Sequence, residues 1–270
     1  MKIGNLIGGV VVSLLATASG AAFAANILIV NGTSTTTESG TTSDITTSLQ
    51  TECAAGNTFT VSDTRPGSLD VYDQIWDLRF SNTSPLDSGD QLAYLAFLQS
   101  GKRMFVMGEN GSFTTRNDSI SAFVTAVGGG TLTFSAPSST QTVNPPFNAP
   151  AAVSSITYDA PGGVTSPGTG AYATTDGTNG TAVAWATGTL GNAPTGSLAT
   201  VFDVNFMQSG AGADSLNFLR NLCGFVATGG EPVTPKAVPT LSVYGLAGTS
   251  LALALFGAYW LRNRRRAGVC

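Results

Sequence analysis

Acidic, amide and guanidinium side chains follow the apolar runs of this chain that predict β-strands. Five of them, here called the edge residues, are predicted to gather at one edge of a sheet: Asp77, Arg79, Glu109, Asn110 and Asp203. Open α/β sheets bind ligands at the carboxyl ends of their strands. Because two suitably spaced carboxyl groups are enough for glycoside hydrolysis, Asp77 and Glu109 predict either such a pair or a polar sugar-binding cleft.

A structural interpretation of the same residues competes with this one. Arg79 could pair with Asp77 or Glu109 only to neutralise charge, Asn110 could make a turn, and Asp203 could cap nearby backbone. We give this interpretation precedence over ligand binding and catalysis.

The chain contains no histidine. This excludes Ser-His-Asp and Cys-His catalysis and removes the commonest transition-metal ligand. The loop at residues 176–180 has acidic and amide side chains, but it lacks the spacing and the terminal glutamate of an EF-hand, so it predicts a polar turn. We therefore predict no enzymatic activity, no metal site and no cofactor.

Alternating strand and helix patterns predict the α/β class for an exported domain at residues 25–230. Strands are expected at 26–30, 58–61, 74–80 and 103–107, with a hairpin at 182–186 and 198–206. Helices are expected to begin at Ser43-Asp44, at Ser84-Pro85, near Asn117 and at Asp214. Such alternation favours a mostly parallel sheet covered on both faces. Residues 135–180, rich in Ser, Thr, Gly and Pro, predict an insertion that is either a linker or a draped loop with short edge strands.

Both ends of the chain predict export. Residues 1–24 have the basic start, apolar stretch and Ala-Phe-Ala ending of a secretory signal peptide. After a linker at 231–237, the uncharged run at about 243–261 is long enough for a transmembrane helix. A basic membrane stop follows and keeps that end in the cytoplasm: Arg262, Arg264, Arg265 and Arg266. The alternative is a buried C-terminal helix.

The exported part is strongly acidic. Seven of the 12 basic residues and all 16 acidic residues lie between residues 25 and 237, so the formal charge of this part is −9. Because binding to nucleic acid depends on attraction to phosphate, this charge argues against a nucleic-acid partner.

Cys53 and Cys223 are the cysteines on the exported side, and they are either a disulfide or two separately buried thiols.

The C-terminal region resembles the IPTL-CTERM sorting signal, a bacterial relative of the PEP-CTERM signals that exosortase-type transpeptidases process. The resemblance covers residues 238–266 and rests on Val238, Pro239, Thr240, Leu241, Ser242 and Gly245. Val243 and Tyr244 stand where the family usually has Glu and Trp. The resemblance implies a transient membrane anchor and, as partners, the secretion machinery, a signal peptidase and an exosortase-like sorting enzyme. A plain, permanent anchor is the alternative.

The exported domain resembles the class I glutamine amidotransferase-like superfamily, on short motifs within residues 26–228. These are Tyr72-Asp73 before the third strand, the glycine-flanked elbow after the fourth, and the runs at 201–206 and 218–222. The resemblance implies a three-layer, flavodoxin-like fold with the first and last helices on one face, where Cys53 and Cys223 could meet. Glu109 and Asn110 occupy the elbow, where the family has its nucleophilic cysteine, so its catalytic residues are absent.

Together these features predict a bacterial cell-envelope protein that is first anchored in the cytoplasmic membrane, with its domain outside, and then reaches the cell surface or extracellular matrix. The domain is expected to have a structural or adhesive role. The alternative is a surface module that binds or hydrolyses polysaccharide with the edge residues.

Overall fold

The computed structural model describes residues 24–34, 39–54 and 56–230. The linker, the sorting motif from Val238 to Gly245, the membrane run at 243–261 and the arginines of the membrane stop lie outside these residues, as does the signal peptide up to residue 23. Within the described ranges, no helix is long and apolar enough to cross a membrane.

Eleven strands and four α-helices make up the described part. The strands are β1 (Asn26–Val30), β2 (Thr58–Ser62), β3 (Gln74–Asp77), β4 (Arg103–Met107), β5 (Leu132–Ser135), β6 (Thr140–Val143), β7 (Ser155–Thr157), β8 (Gly163–Pro167), β9 (Ala171–Thr175), β10 (Ala182–Trp185) and β11 (Ser197–Val201). The helices are α1 (Ser39–Glu52), α2 (Ser88–Gln99), α3 (Thr114–Ala126) and α4 (Ala213–Thr228). The α/β class is therefore confirmed.

Nine of these strands form one sheet in the order β2-β1-β3-β4-β11-β10-β9-β6-β7. The first five are parallel, and counted among themselves they have the order 2-1-3-4-5, which is one of the two common doubly wound orders. The remaining pairings are antiparallel. The carboxyl ends of β1, β3, β4 and β11 therefore lie at one edge, as the sequence predicts.

The parallel strands are buried on both faces because successive side chains belong to different cores. In β1, Ile27 and Ile29 pack in one core, and Leu28 and Val30 pack in the other. The first core contains the apolar residues of α1 and α4, and the second contains those of α2 and α3. Two helices cover each face, which makes three layers.

The insertion at 135–180 is not a linker, and the second alternative, a loop with short edge strands, describes it better. Strands β9, β6 and β7 extend the main sheet, while β8 pairs with β5 in a separate two-stranded sheet. Gln141 and Thr174 hold the extension in register, because their side chains bond to each other at 2.9 Å inside the sheet. The insertion thereby supplies much of the antiparallel half, which the predicted, mostly parallel sheet did not include.

Several predicted boundaries differ from the observed ones. Helix α1 begins at Ser39, before the predicted Ser43-Asp44 cap, because Thr42 extends its buried face by one turn. Helix α2 begins at Ser88, since the carboxylate of Asp87 caps it by accepting from the Asp90 amide at 2.7 Å. Helix α3 begins three residues early, at Thr114, and β3 ends at Asp77 rather than at residue 80. Gly212, not Asp214, is the N-cap of α4.

Cys53, just after α1, and Cys223 in α4 form a disulfide with 5.6 Å between their Cα atoms. They meet because α1 and α4 pack side by side on the same face of the sheet.

Candidate functional site

Asp77 is the last residue of β3 and lies at the edge of the sheet where the parallel strands end, called here the carboxyl edge. Its side chain is completely buried. Arg79 donates to both of its oxygens, with Nε at 3.0 Å from Oδ1 and Nη2 at 2.5 Å from Oδ2. Nη2 of Arg116 and the hydroxyl of Tyr94 donate as well, at 3.0 and 2.9 Å. With the Arg79 amide at 3.2 Å, the carboxylate has five donor groups around it and is not open to a ligand.

The electrostatics of Asp77 follow from these contacts. Burial by itself raises the pKa of this carboxyl, but the charges of Arg79 and Arg116, with the hydrogen bonds from Arg79 and Tyr94, outweigh burial and lower the pKa to about 2. Asp77 is therefore ionised at neutral pH and cannot serve there as a general acid.

Arg79 links Asp77 to a wider set of ion pairs. Its Nη2 also lies 2.8 Å from Oδ2 of Asp90 in α2, and Asp90 accepts from Nε of Arg65 at 2.8 Å. Arg116, fully buried in α3, further donates to the carbonyl oxygens of Met107 and Ser84. We call Arg65, Asp77, Arg79, Asp90, Tyr94 and Arg116 the ionic cluster.

Glu109 and Asn110 follow β4 and have structural partners. One carboxylate oxygen of Glu109 accepts from the main-chain and side-chain nitrogens of Asn110, each at 2.9 Å, and the other accepts from the Val204 amide at 2.7 Å. The Asn110 side-chain oxygen accepts from the Ser112 amide at 3.0 Å. Because Glu109 is only 2 % exposed, its carboxylate does not face solvent.

Asp203, after β11, is fully buried and accepts from the amides of Ala160 and Asn205 at 3.1 and 2.8 Å. Burial raises the pKa of this carboxyl, although these backbone bonds act against the rise. Asp203 therefore caps the short 3-10 helix at Val204–Met207 and anchors the insertion.

Residues 159–163 of the insertion lie across the carboxyl edge. Gly162 donates its amide to the Phe202 carbonyl at 2.7 Å and is so close to Glu109 that a Cβ atom would lie 2.6 Å from the Glu109 carbonyl oxygen. This contact requires glycine at position 162. The segment therefore covers the carboxyl ends of β4 and β11.

Two depressions near this edge are small. One of about 70 Å³ lies beside the start of α3, lined in part by Gly111, Asn117 and Ser135, and a more open one of about 220 Å³ lies at the start of α4. Ligand pockets generally enclose about 300 Å³ or more.

The described residues contain no group of three or more acidic or cysteine side chains placed to hold a metal ion. The Asp176 carboxylate accepts from the amides of Ser138, Thr178 and Asn179 as part of a turn.

The sequence places the edge residues at the correct edge but misses their partners. Arg116, Tyr94 and Asp90 complete the ionic cluster. Asp90 and Tyr94 are four residues apart on one face of α2, a spacing that could have indicated a shared partner. No comparable signal marks Arg116, because a helical arginine is usually exposed.

Comparison with known proteins identifies a motif at the C-terminus of the chain. Residues 236–266 match the model of a family described as IPTL-CTERM motif. The chain thus has a C-terminal sorting signal, which is typical of exported, surface-associated proteins. No curated protein matches the chain.

Solved structures resemble the described domain in fold. A structure titled "mmIFT52 N-terminal domain" has a TM-score of 0.55 at 12 % identity, and the match covers 75 % of this chain and 97 % of that one. A cold-adapted β-galactosidase from Rahnella sp. R3 matches with a TM-score of 0.43 at 12 % identity, over 74 % of this chain and 31 % of the enzyme. Its score is too low to support an argument. None of these findings supports the amidotransferase-like resemblance, which stays a prediction.

Proposed function

We propose that this chain is a bacterial envelope protein, processed by an exosortase-like transpeptidase at its C-terminal signal, and that its α/β domain has a structural or adhesive role. The signal peptide and the membrane run are the predicted parts of the same route. The flavodoxin-like assignment belongs to this proposal and is supported by the 2-1-3-4-5 order of the parallel strands.

The state of the edge residues is the observation that supports a non-catalytic role. Asp77, Glu109 and Asp203 are each at most 2 % exposed, and each carboxylate already accepts several hydrogen bonds. A glycosidase needs carboxyl groups that flank the bound sugar, with one of them protonated. Buried carboxylates whose oxygens are already hydrogen-bonded do not meet that requirement, which disfavours the alternative of a sugar-cleaving or sugar-binding edge.

A glycan screen tests this part of the proposal. The purified protein and its Glu109→Gln variant would be compared for binding and turnover of bacterial surface polysaccharides. We expect no turnover, and any residual binding should be equal in the two proteins. Turnover or binding that Glu109→Gln abolishes, with the fold intact by circular dichroism, would establish the alternative instead.

The sorting part of the proposal is tested at the motif. Replacing Pro239 and Thr240 by alanine should leave export intact, because the signal peptide is unchanged, but should leave the protein in the cytoplasmic membrane. A matched change in the linker, Pro232→Ala, should have no effect on localisation. Equal surface display of both variants would show that the motif is not read.

A further inference from the structure

Strand β2 forms one end of the nine-stranded sheet and, in the part of the chain that the structure describes, pairs with β1 alone. The Thr58 amide donates to the Ala25 carbonyl at 2.9 Å, and the Ser62 carbonyl accepts from the Asn31 amide at 3.0 Å. Residues 58 and 62 therefore direct their backbone groups toward β1. Because alternate residues point in opposite directions, Phe59 and Val61 direct theirs toward the open side.

This edge lacks the features that usually prevent strand pairing. Charged side chains, proline and bulges protect most edge strands. The β2 sequence, Thr-Phe-Thr-Val-Ser, has no charge and no proline, and its register with β1 is continuous. Val61 is 44 % exposed. The part of the chain between residues 25 and 237 has a formal charge of −9, whereas β2 itself is uncharged. Two molecules can therefore approach each other more closely along β2 than along a charged surface.

We propose that β2 pairs in antiparallel orientation with β2 of a second copy of this chain, about a two-fold axis at Thr60. In that register Phe59 of one copy lies opposite Val61 of the other, twice by symmetry. Both residues direct their backbone groups outward, so each pair exchanges two main-chain hydrogen bonds. Every outward N–H and C=O of Phe59 and Val61 thereby gains a partner.

The side chains of β2 fit the same register. Phe59 and Val61 face the side of the sheet that carries α1, since they pair with Ile27 and Ile29. The dimer would place an aromatic ring beside a β-branched side chain, a favourable cross-strand pair, and would cover the exposed Val61. The surface thus matches itself about the two-fold axis, as an isologous contact between two copies requires.

Cysteine cross-linking tests the register. Thr60, on the axis, would face its own copy as a non-hydrogen-bonded pair with about 4.5 Å between Cα atoms, a distance that a disulfide can span. Thr58 would lie about 13 Å from its own copy, because it is displaced by four residues along the strand. Both side chains are exposed, so either substitution should leave the fold intact.

The experiment uses the full chain in mild detergent with Cys270→Ser as background and copper phenanthroline as oxidant. We expect Thr60→Cys to give a covalent dimer on a non-reducing gel and Thr58→Cys to remain monomeric. Adding Val61→Lys to Thr60→Cys should reduce the dimer at least tenfold. Equal cross-linking at positions 58 and 60, no cross-linking at either, or a product containing a different protein would each overturn the proposal.

Discussion

Asp77 shows how a residue with the chemistry of a catalyst can be committed to structure. Two arginines and a tyrosine donate to a carboxylate with no exposed surface. A buried charge costs free energy unless it is paired, so these donors are what permit Asp77 to remain ionised inside the domain. The same arrangement removes it from any reaction with a ligand.

Replacing Asp77 by asparagine should therefore lower stability strongly. Arg79 and Arg116 would lose their shared counter-ion while they remain buried, and we expect a loss of about 3 to 5 kcal/mol in the free energy of unfolding. Urea unfolding measures it. Asp44→Asn, at an exposed position of α1, is the matched control and should change stability by less than about 0.5 kcal/mol. Equal effects of the two changes would contradict the account of the ionic cluster.

The lowered pKa of Asp77 also predicts a dependence of stability on pH. Its folded pKa of about 2 is below the ordinary value of 3.8, so its contribution is present above pH 3.8 and is lost as the pH falls toward 2. The shift corresponds to about 2 kcal/mol. Unfolding curves of the native protein should show this loss, and those of Asp77→Asn should be flatter between pH 4 and pH 2. Parallel curves for the two proteins would be inconsistent with the shift.

At the scale of elements, the insertion covers part of the carboxyl edge of the sheet. Residues 159–163 lie against Glu109 and Asp203, and the strands β9, β6 and β7 lengthen the sheet beyond β10. A segment for which the sequence leaves two alternatives, a linker or a draped loop with short edge strands, thus covers the carboxyl ends of β4 and β11.

Gly162→Ala tests this cover. The added methyl group would lie 2.6 Å from the Glu109 carbonyl oxygen, so the segment must shift, and we expect a loss of about 1 to 3 kcal/mol in unfolding free energy. Gly111→Ala is the control, because a Cβ atom there would meet no atom within 4 Å. If both variants have the same urea unfolding midpoint as the unmodified protein, residues 159–163 are not packed against Glu109 as described.

The disulfide is the other element-scale device, since it joins α1 to α4 across 170 residues of sequence. Closing a loop of this length restricts the unfolded chain and stabilises the domain by about 3 to 5 kcal/mol. The double variant Cys53→Ser, Cys223→Ser should lose this amount in urea unfolding. Reduction of the native protein should have a similar effect, whereas an unchanged midpoint in both experiments would count against the bond.

Sequence patterns predict some of these elements and not others, for physical reasons. The apolar runs of β1 and β4 and the periodic apolar face of α4 depend on local burial, which sequence records directly. Strands such as β6, with the sequence Thr-Gln-Thr-Val, are stabilised by their neighbours and by the buried Gln141 amide, so their composition resembles that of a loop. Arg116 is buried only because Asp77, 39 residues earlier in the chain, is there to meet it.

At the scale of the whole molecule, the sorting signal and the acidic domain fit one route. Residues 236–266 carry the IPTL-CTERM motif, and the preceding domain contains a disulfide, which is typical of proteins that mature in an oxidising compartment. The proposed pairing of β2 strands would add contacts between copies once they are outside the cell.

The mass of the mature protein reports whether both ends of the chain are removed on the way to the surface. Intact-mass spectrometry of the surface fraction should find a chain that begins at Ala25 and lacks Trp260 together with the arginines at 262 and 264–266. An intact chain of 270 residues, recovered from the cytosol with both ends retained, would rule out export and processing by a sorting enzyme.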